Sequence, residues 1–442
     1  MLSSKNELSN ESVLIDGKNM SLHHGTGIAT YARNLCSIVS DLDIKGHVLF
    51  GENFPKQKKA IHSEIAFFDH KYDEGRFEKQ LRRILNAKSY IFPPKPFQIS
   101  MSDRVIKDNF KSQLPIAHQY WNASNIFDTS VISFHYLGKM QTIKNPMNVP
   151  IAHWTYPVPL KLEGAKNIYT IHDLVPLRLP YTTLDRKKSF YKMIETICAQ
   201  ADKIITVSEQ SKKDIHEFFG LPDEKVVNTY QHVDIPKKYL EAKKEEIQAS
   251  IKGLFDLDYK EYILFYGAIE PKKNVGRLIE AYLASGLDIP LVIAGKDGWL
   301  VENELKFLDA PAVKYLKTEG GVTKEKSKII RLNYVPFPQL VNLIRGAKCV
   351  AFPSLYEGFG LPIVESMICE TPVLTSNLGA TKEIAGEAAL LVDPYDVRSI
   401  RDGLLKMISD ENLLKYRSSK MASNIQKFSN HKIKEKIRYI YN

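Results

Sequence analysis

Cysteine and long apolar runs are scarce in this chain. Four cysteines in 442 residues, Cys36, Cys198, Cys349 and Cys369, stand far apart and form no CxxC pair. That pattern fits reduced thiols in a core and argues against both a disulfide framework and a zinc site. No apolar run approaches the roughly 20 residues needed to span a bilayer. The opening MLSSKNELSNES is polar and lacks the apolar centre of a signal peptide. The expectation is a cytoplasmic protein, free to lie peripherally on the cytoplasmic face of a membrane. Repeats and low-complexity tracts are missing too, which removes solenoids from consideration.

Acidic residues are the scarcer charge: 51 Asp and Glu against 61 Lys and Arg leave a net +10. A positive balance attracts anions, whether nucleic acid, a phosphorylated small molecule or an acidic membrane. The cations are dispersed and no aromatic-basic module stands among them, so nucleic acid is not an expected partner. Hydrophobic content of 44% with 25% charged residues is that of an ordinary globular protein, and the length predicts two large domains.

Strand-like runs alternate with helical periodicity. VLID (Val13 to Asp16) is followed by a polar loop and by GIATYARNLCSIVSDL, whose apolar residues recur at helical spacing. NIYTIHDLVP and KIITVS continue the series, and Ser208 caps a following helix. A lysine- and glutamate-rich stretch from Pro236 to Lys260 reads as the connection between domains. A second series then runs through ILFYGAI, PLVIAG, a helix, IIRLNYV, CVAFPS, PVLTS and ALLVD. The alternation predicts an α/β protein with two doubly wound domains, residues 1–240 and 241–425, facing each other across a cleft. Residues 426–442 read as a C-terminal helix with the option of packing back on the first domain. Residues 52–150 match no pattern, apart from a basic amphipathic helix with Arg76, Lys79, Arg82 and Arg83 beside Phe77, Leu81 and Leu85. That helix is either a solvated face over the core or a seat on anionic lipid.

In such sheets ligands bind beyond the carboxyl ends of the strands. Gly25, Thr26 and Gly27 open the first helix, where backbone N–H groups can approach a phosphate or a sugar; packing alone is the other reading. Thr30 stands where a dinucleotide fingerprint needs Gly or Ala, which weakens a dehydrogenase reading. His23 and His24 nearby have no carboxylate at ligand spacing and read as loop residues. His172 and Asp173 end a strand, either as cleft residues or as a core histidine with an aspartate capping a turn. YGAIEPKKN leads from a strand to a helix start with Lys272 and Lys273, a place where a diphosphate would meet an ammonium and the positive end of a helix.

YEGFGLPIVE (Tyr356 to Glu365) carries the most information. Its glycines let the backbone turn closely, and Pro362 suits the first turn of a helix holding Glu365. A glycosidase acid–nucleophile pair stands about 5 to 10 Å apart, whereas eight residues along a helix span about 12 Å. Glu357 and Glu365 are therefore expected to grip different hydroxyl-bearing parts of one ligand.

Together with GAIEPKKN, GTGIATYARNL, IYTIHDLVPLRLP and ADKIITVSEQSKKDI, the long segment NYVPFPQLVNLIRGAKCVAFPSLYEGFGLPIVESMICETPVLTSNLGATKEIAG resembles the family 4 type of retaining, nucleotide-sugar-dependent glycosyltransferases. The resemblance covers nearly the whole chain. It implies the GT-B fold, with two Rossmann-like domains, the first on the acceptor side and the second on the donor side. It also implies a hexosyltransferase whose partners are a nucleotide sugar and a polysaccharide or lipid-linked glycan. No cofactor and no metal are implied. Mannose from GDP-mannose is the expected donor, because the IHDLVPLRLP segment is similar to bacterial mannosyltransferases. UDP-glucose and other donors, a small-glycoside synthase and a catalytically inactive binding protein are the alternatives.

Carried over by resemblance, Glu365 binds the ribose hydroxyls and Glu357 those of the transferred sugar. Backbone N–H groups of Gly358, Phe359 and Gly360 lie near the sugar and diphosphate, with Leu361 also on the donor side. Lys273 neutralises the departing diphosphate, His172 stands beside the donor sugar, and Gly25, Thr26 and Gly27 lie near the phosphates. Many members carry an arginine after the glycine that ends the first strand of the second domain. Here Gly267 is followed by Ala268, and Lys272 is expected to replace part of that charge.

Overall fold

The computed structural model describes residues 11–20, 27–69, 89, 91–107, 114–308, 313–319 and 322–442. His23, His24, Gly25, Thr26 and the basic helix from Arg76 to Leu85 lie outside the described residues. The first sheet contains β1 (Ser12–Asp16), β2 (Lys45–Phe50), β3 (Phe97–Ile99), β4 (Gln119–Asn122), β6 (Ile151–Trp154), β8 (Lys166–Thr170), β9 (Lys203–Thr206) and β10 (Val226–Asn228). A separate small parallel pair is formed by β5 (Gln141–Ile143) and β7 (Leu160–Leu162). The sheet order is β10-β9-β8-β6-β1-β2-β4-β3.

Every pair in this sheet is parallel except β3 with β4, which makes an antiparallel edge inside the segment that the sequence left unread. The strands read as continuous apolar runs because both faces are covered. Alternate residues point to opposite sides: Val13, Ile15, Val48 and Ile168 join one core, while Leu14, Leu49, Ala152 and Tyr169 join another.

The second sheet is built from β11 (Ile263–Tyr266), β12 (Leu291–Ala294), β15 (Ile329–Leu332), β16 (Cys349–Phe352), β17 (Val373–Ser376) and β18 (Ala389–Val392). All are parallel, in the order β15-β12-β11-β16-β17-β18. Between β12 and β15, where a helix was expected, the described residues form the short helix Val301–Leu305, and an antiparallel hairpin of β13 (Lys314–Glu319) and β14 (Val322–Ser327) follows it.

The stretch 236–260 is not a free connection. It folds into helices Lys237–Leu240 and Lys244–Phe255. Ile247 and Ile251, one turn apart, are buried, and Ile251 packs where Gly346 and Tyr262 leave room for it in the second domain. The last helix, Asn430–Tyr441, returns to the first domain: the Tyr441 hydroxyl lies 2.7 Å from His153 Nδ1, and Lys434 Nζ lies 2.5 Å from an Asp41 oxygen. All four cysteines are buried and free. Among the described residues no helix is long and apolar enough to cross a membrane.

Candidate active site

The cleft is lined by loops that follow β8, β11 and β16. After β11 the chain runs into a single 3-10 turn, Pro271–Lys273, and then into helix Val275–Ser285. Asn274 joins the two in the left-handed region (φ 62°), and its side-chain amide donates to the carbonyls of Pro353 and Pro394 at 3.0 and 2.7 Å. These bonds fix the two-lysine turn against the loops after β16 and β18. Lys273 Nζ donates to Glu357 Oε1 at 2.6 Å and lies 4.9 Å above the Phe352 ring. Lys272 Nζ stands 3.6 Å from Glu270 Oε1, while its carbonyl accepts from Leu355 N at 2.7 Å.

Burial and pairing compete in this cluster. Burial pushes the Glu357 carboxyl up, but the ammonium groups of Lys273 and Lys272 outweigh it, and Glu357 ends below its ordinary value of 4.5. For Lys272 burial favours the neutral amine, and the carboxylates of Glu357, Asp173 and Glu270 more than reverse that, so it remains charged.

Glu365 is held elsewhere. Gly360 takes φ 97° before helix Leu361–Ile368, a conformation that favours glycine, and Pro362 occupies the first turn. The helix points Glu365 at Tyr266, whose hydroxyl donates to Oε2 at 3.1 Å. Burial raises the Glu365 carboxyl, and the tyrosine bond offsets only part of this. Glu357 and Glu365 thus have separate partners, Lys273 in the turn after β11 and Tyr266 at the end of β11, which suits two grips better than one acid–base pair.

The first domain brings His172 from the loop after β8. Its Nε2 donates to the Thr155 carbonyl at 2.9 Å, and the Tyr31 ring meets it edge-on at 4.9 Å. Burial lowers its pKa, and the Thr155 carbonyl and Asp173 offset part of that. The imidazole is neutral with Nδ1 as acceptor. Asp173 does cap its turn, accepting from Val175 N at 3.1 Å.

The domains touch at the site. A Cβ on Gly358 would lie 2.4 Å from the His172 carbonyl oxygen, so only glycine fits there. Ser211 Oγ donates to that carbonyl at 2.7 Å. Gly27 begins helix Gly27–Asp41, and a Cβ there would meet Leu361 Cδ1 at 3.1 Å. The Phe359 side chain turns away from the cleft and packs edge-on against Phe428 at 5.3 Å. Only its backbone remains available to a ligand.

Sequence reasoning passed over Tyr266, Ser211, Glu270 and Glu383. Glu383 accepts from the backbone N–H groups of Glu209 and Gln210 at 2.8 and 3.0 Å, so the second domain caps a first-domain helix, Glu209–Phe219. The acid at the end of GAIE, beside the lysines, was the available signal for Glu270; nothing local marks Glu383. Among the described residues no group of three or more His, Cys, Asp or Glu could hold a metal ion.

The family described as Glycosyl transferases group 1 matches residues 248–427, and Glycosyltransferase Family 4 matches residues 139–235. An O-antigen chain mannosyltransferase B of Escherichia coli is 31% identical over 277 residues, 62% of this chain and 68% of that protein. The chain belongs to the family 4 type of glycosyltransferases. Solved structures share the architecture of this glycosyltransferase. A sucrose-phosphate synthase of Thermosynechococcus elongatus superposes with a TM-score of 0.63 at 13% identity, covering 98% of each chain. HepE of Anabaena, solved with UDP and glucose, gives 0.62 at 14% identity over 97% of this chain and 99% of its own. At such identities the likeness shows the GT-B fold of the glycosyltransferase and nothing finer.

Proposed function

We propose that this glycosyltransferase moves mannose from GDP-mannose to a polysaccharide or lipid-linked glycan, with retention at the anomeric carbon. The observation that carries the reading is the 31% identity to an O-antigen chain mannosyltransferase. Breaking a glycosyl–phosphate bond leaves negative charge on the diphosphate and positive charge on the sugar. The half-buried Lys272 and Lys273 and the N–H groups of Gly358 to Gly360 stabilise the first charge where it forms, before any solvent reorganises. Glu365 takes the ribose and Glu357 the sugar hydroxyls, while His172 Nδ1 accepts from another hydroxyl of the sugar. The acceptor attacks from the face the diphosphate leaves, and a phosphate oxygen takes its proton. Fixed cations make a metal unnecessary in this scheme, so activity is expected to survive chelators.

Helix Ile126–Leu137 leaves Val131, Ile132, Tyr136 and Leu137 exposed, which supports peripheral contact with lipid on the acceptor side. Sedimentation with anionic liposomes checks that contact, and its absence would remove it.

A thermal-shift panel of GDP-mannose, UDP-glucose and UDP-N-acetylglucosamine tests the donor, since a ligand of the native state raises the melting temperature with occupancy. Stabilisation by GDP-mannose alone, with GDP release once acceptor is added, is the expected result. A response only to a uridine donor would overturn the mannose assignment.

A further inference from the structure

Five charged side chains meet where the diphosphate is placed. Lys272 and Lys273 face Glu270, Glu357 and Asp173, so two cations stand against three anions and the formal balance is −1. A doubly anionic diphosphate entering that set meets a net charge of its own sign. The conflict is sharpened by Ala268, which stands where an arginine would have brought the balance to zero. One carboxylate has to give way.

The contacts identify which. Glu357 is bonded to Lys273 at 2.6 Å, and Asp173 accepts a backbone N–H at 3.1 Å. Glu270 is 5% exposed and is held by a longer contact, 3.6 Å to Lys272. Neither Lys296 nor Asp297 in the loop that covers it acts on its carboxylate. A Cβ on Gly298 would lie 3.5 Å from Glu270 Cβ, Lys296 is stacked 5.2 Å from the Tyr334 ring, and Asp297 is paired with Arg331 at 2.7 Å.

We propose that Glu270 is a positioning residue for the donor: it tethers the Lys272 ammonium before the sugar nucleotide arrives and takes up a proton from solvent when it does. Protonation turns the −1 balance to zero and releases Lys272 to the phosphate oxygens, while the new carboxylic acid can still accept from the lysine through its carbonyl oxygen. Burial has already moved the Glu270 carboxyl above its ordinary value, with Lys272 and Lys273 opposing and Glu357 and Asp173 adding to the rise. A bound phosphate adds to it again. Because the group's pKa is then higher in the complex than in the free protein, binding takes up a proton between the two values and weakens as pH rises through that window.

The inference rests on the donor reading above, and calorimetry separates the two. Binding of GDP-mannose, with UDP-glucose as a second probe, is measured in two buffers of different ionisation enthalpy. Sugar nucleotides are diphosphate diesters that do not titrate near neutrality. Wild type is expected to take up about one proton more than Glu270→Gln. The wild-type affinity should also fall by up to about tenfold per pH unit across the window while that of E270Q stays flat. Glu270→Ala, which removes the tether as well, should lose the proton uptake and bind more weakly than E270Q. A residue that only supported the fold would lower the melting temperature without changing the proton count. Equal proton counts in wild type and E270Q would overturn the proposal. Failure of both probes to bind wild type would overturn the donor reading, and this inference with it.

Discussion

On the second-domain wall of the cleft the polar groups are charged side chains that hold one another. Lys273 is bonded to Glu357, Lys272 leans on Glu270, and Glu365 is fixed by Tyr266. On the first-domain wall, Asp173 apart, the groups at the boundary are a neutral imidazole, its own carbonyl oxygen and a serine hydroxyl. The difference teaches how each wall is specified. Charges that must stay fixed in a dry site need rigid local supports, so they sit in short turns directly after strands. Recognition through a carbonyl depends on where the backbone runs, and almost any residue can supply it.

The strongest way to break this contrast is to empty the charged wall. Glu357→Ala is expected to lower kcat by roughly 10²–10³-fold and to cost about 3 kcal/mol of stability by leaving Lys273 unpaired. Initial rates and urea unfolding check both. Wild-type turnover would remove Glu357 from the site. If the two are one unit, Lys273→Ala in the same background should add far less than it costs alone.

The neutral wall is probed by Gly358→Ala. The new methyl would meet the His172 oxygen, and the domains would have to separate by a few tenths of an ångström or more. Strain of about 1–3 kcal/mol is expected, read as a lower kcat with donor affinity nearly kept. Unchanged kinetics would show that the walls need not touch during turnover.

A smaller effect is expected from Glu383→Ala, which removes the cap that the second domain places on helix Glu209–Phe219. The loss should be about 1 kcal/mol, seen as a melting temperature a few degrees lower. No change in melting temperature would leave that cap without a stabilising role.

The smallest effect is a pH dependence. Burial raises the folded-state value of Glu365 above 4.5, so the folded protein binds that proton more tightly than the unfolded chain does. Ionised Glu365 therefore costs stability above this window, and the cost disappears as pH falls through it. Glu365→Gln should melt above wild type at neutral pH and converge with it as pH falls below the ordinary carboxyl value of 4.5. A gap that widened on acidification would contradict the buried, partly compensated carboxylate.

The same contrast explains what could be read in the sequence. Strand–helix alternation exposed both sheets, because parallel strands covered on two faces are continuous apolar runs. Lys272, Lys273, Glu357 and Glu365 were visible as charges beside glycine and proline turns. Ser211 and Glu383 were not, since each acts on a backbone group far away in sequence and carries no local mark. The helices within the stretch 236–260 were not legible for a related reason: its lysines and glutamates cover their outer face, and the few buried residues, such as Ile247 and Ile251, are a faint trace of packing.

Phe428 carries a mechanical consequence. The chain passes from the first domain to the second between Asn228 and Lys237, and returns near Phe428, whose ring lies 5.4 Å from Tyr230 on the outward passage. Two bodies joined by one thread can swivel in any direction, whereas two adjoining threads leave mainly one rotation, about the line through them. Any opening of the cleft is therefore that of a book and not of a twisting rope. Phe359, wedged between Gly358 and Gly360, presses on the same ring, so the spine of the book bears directly on the page where the donor would lie.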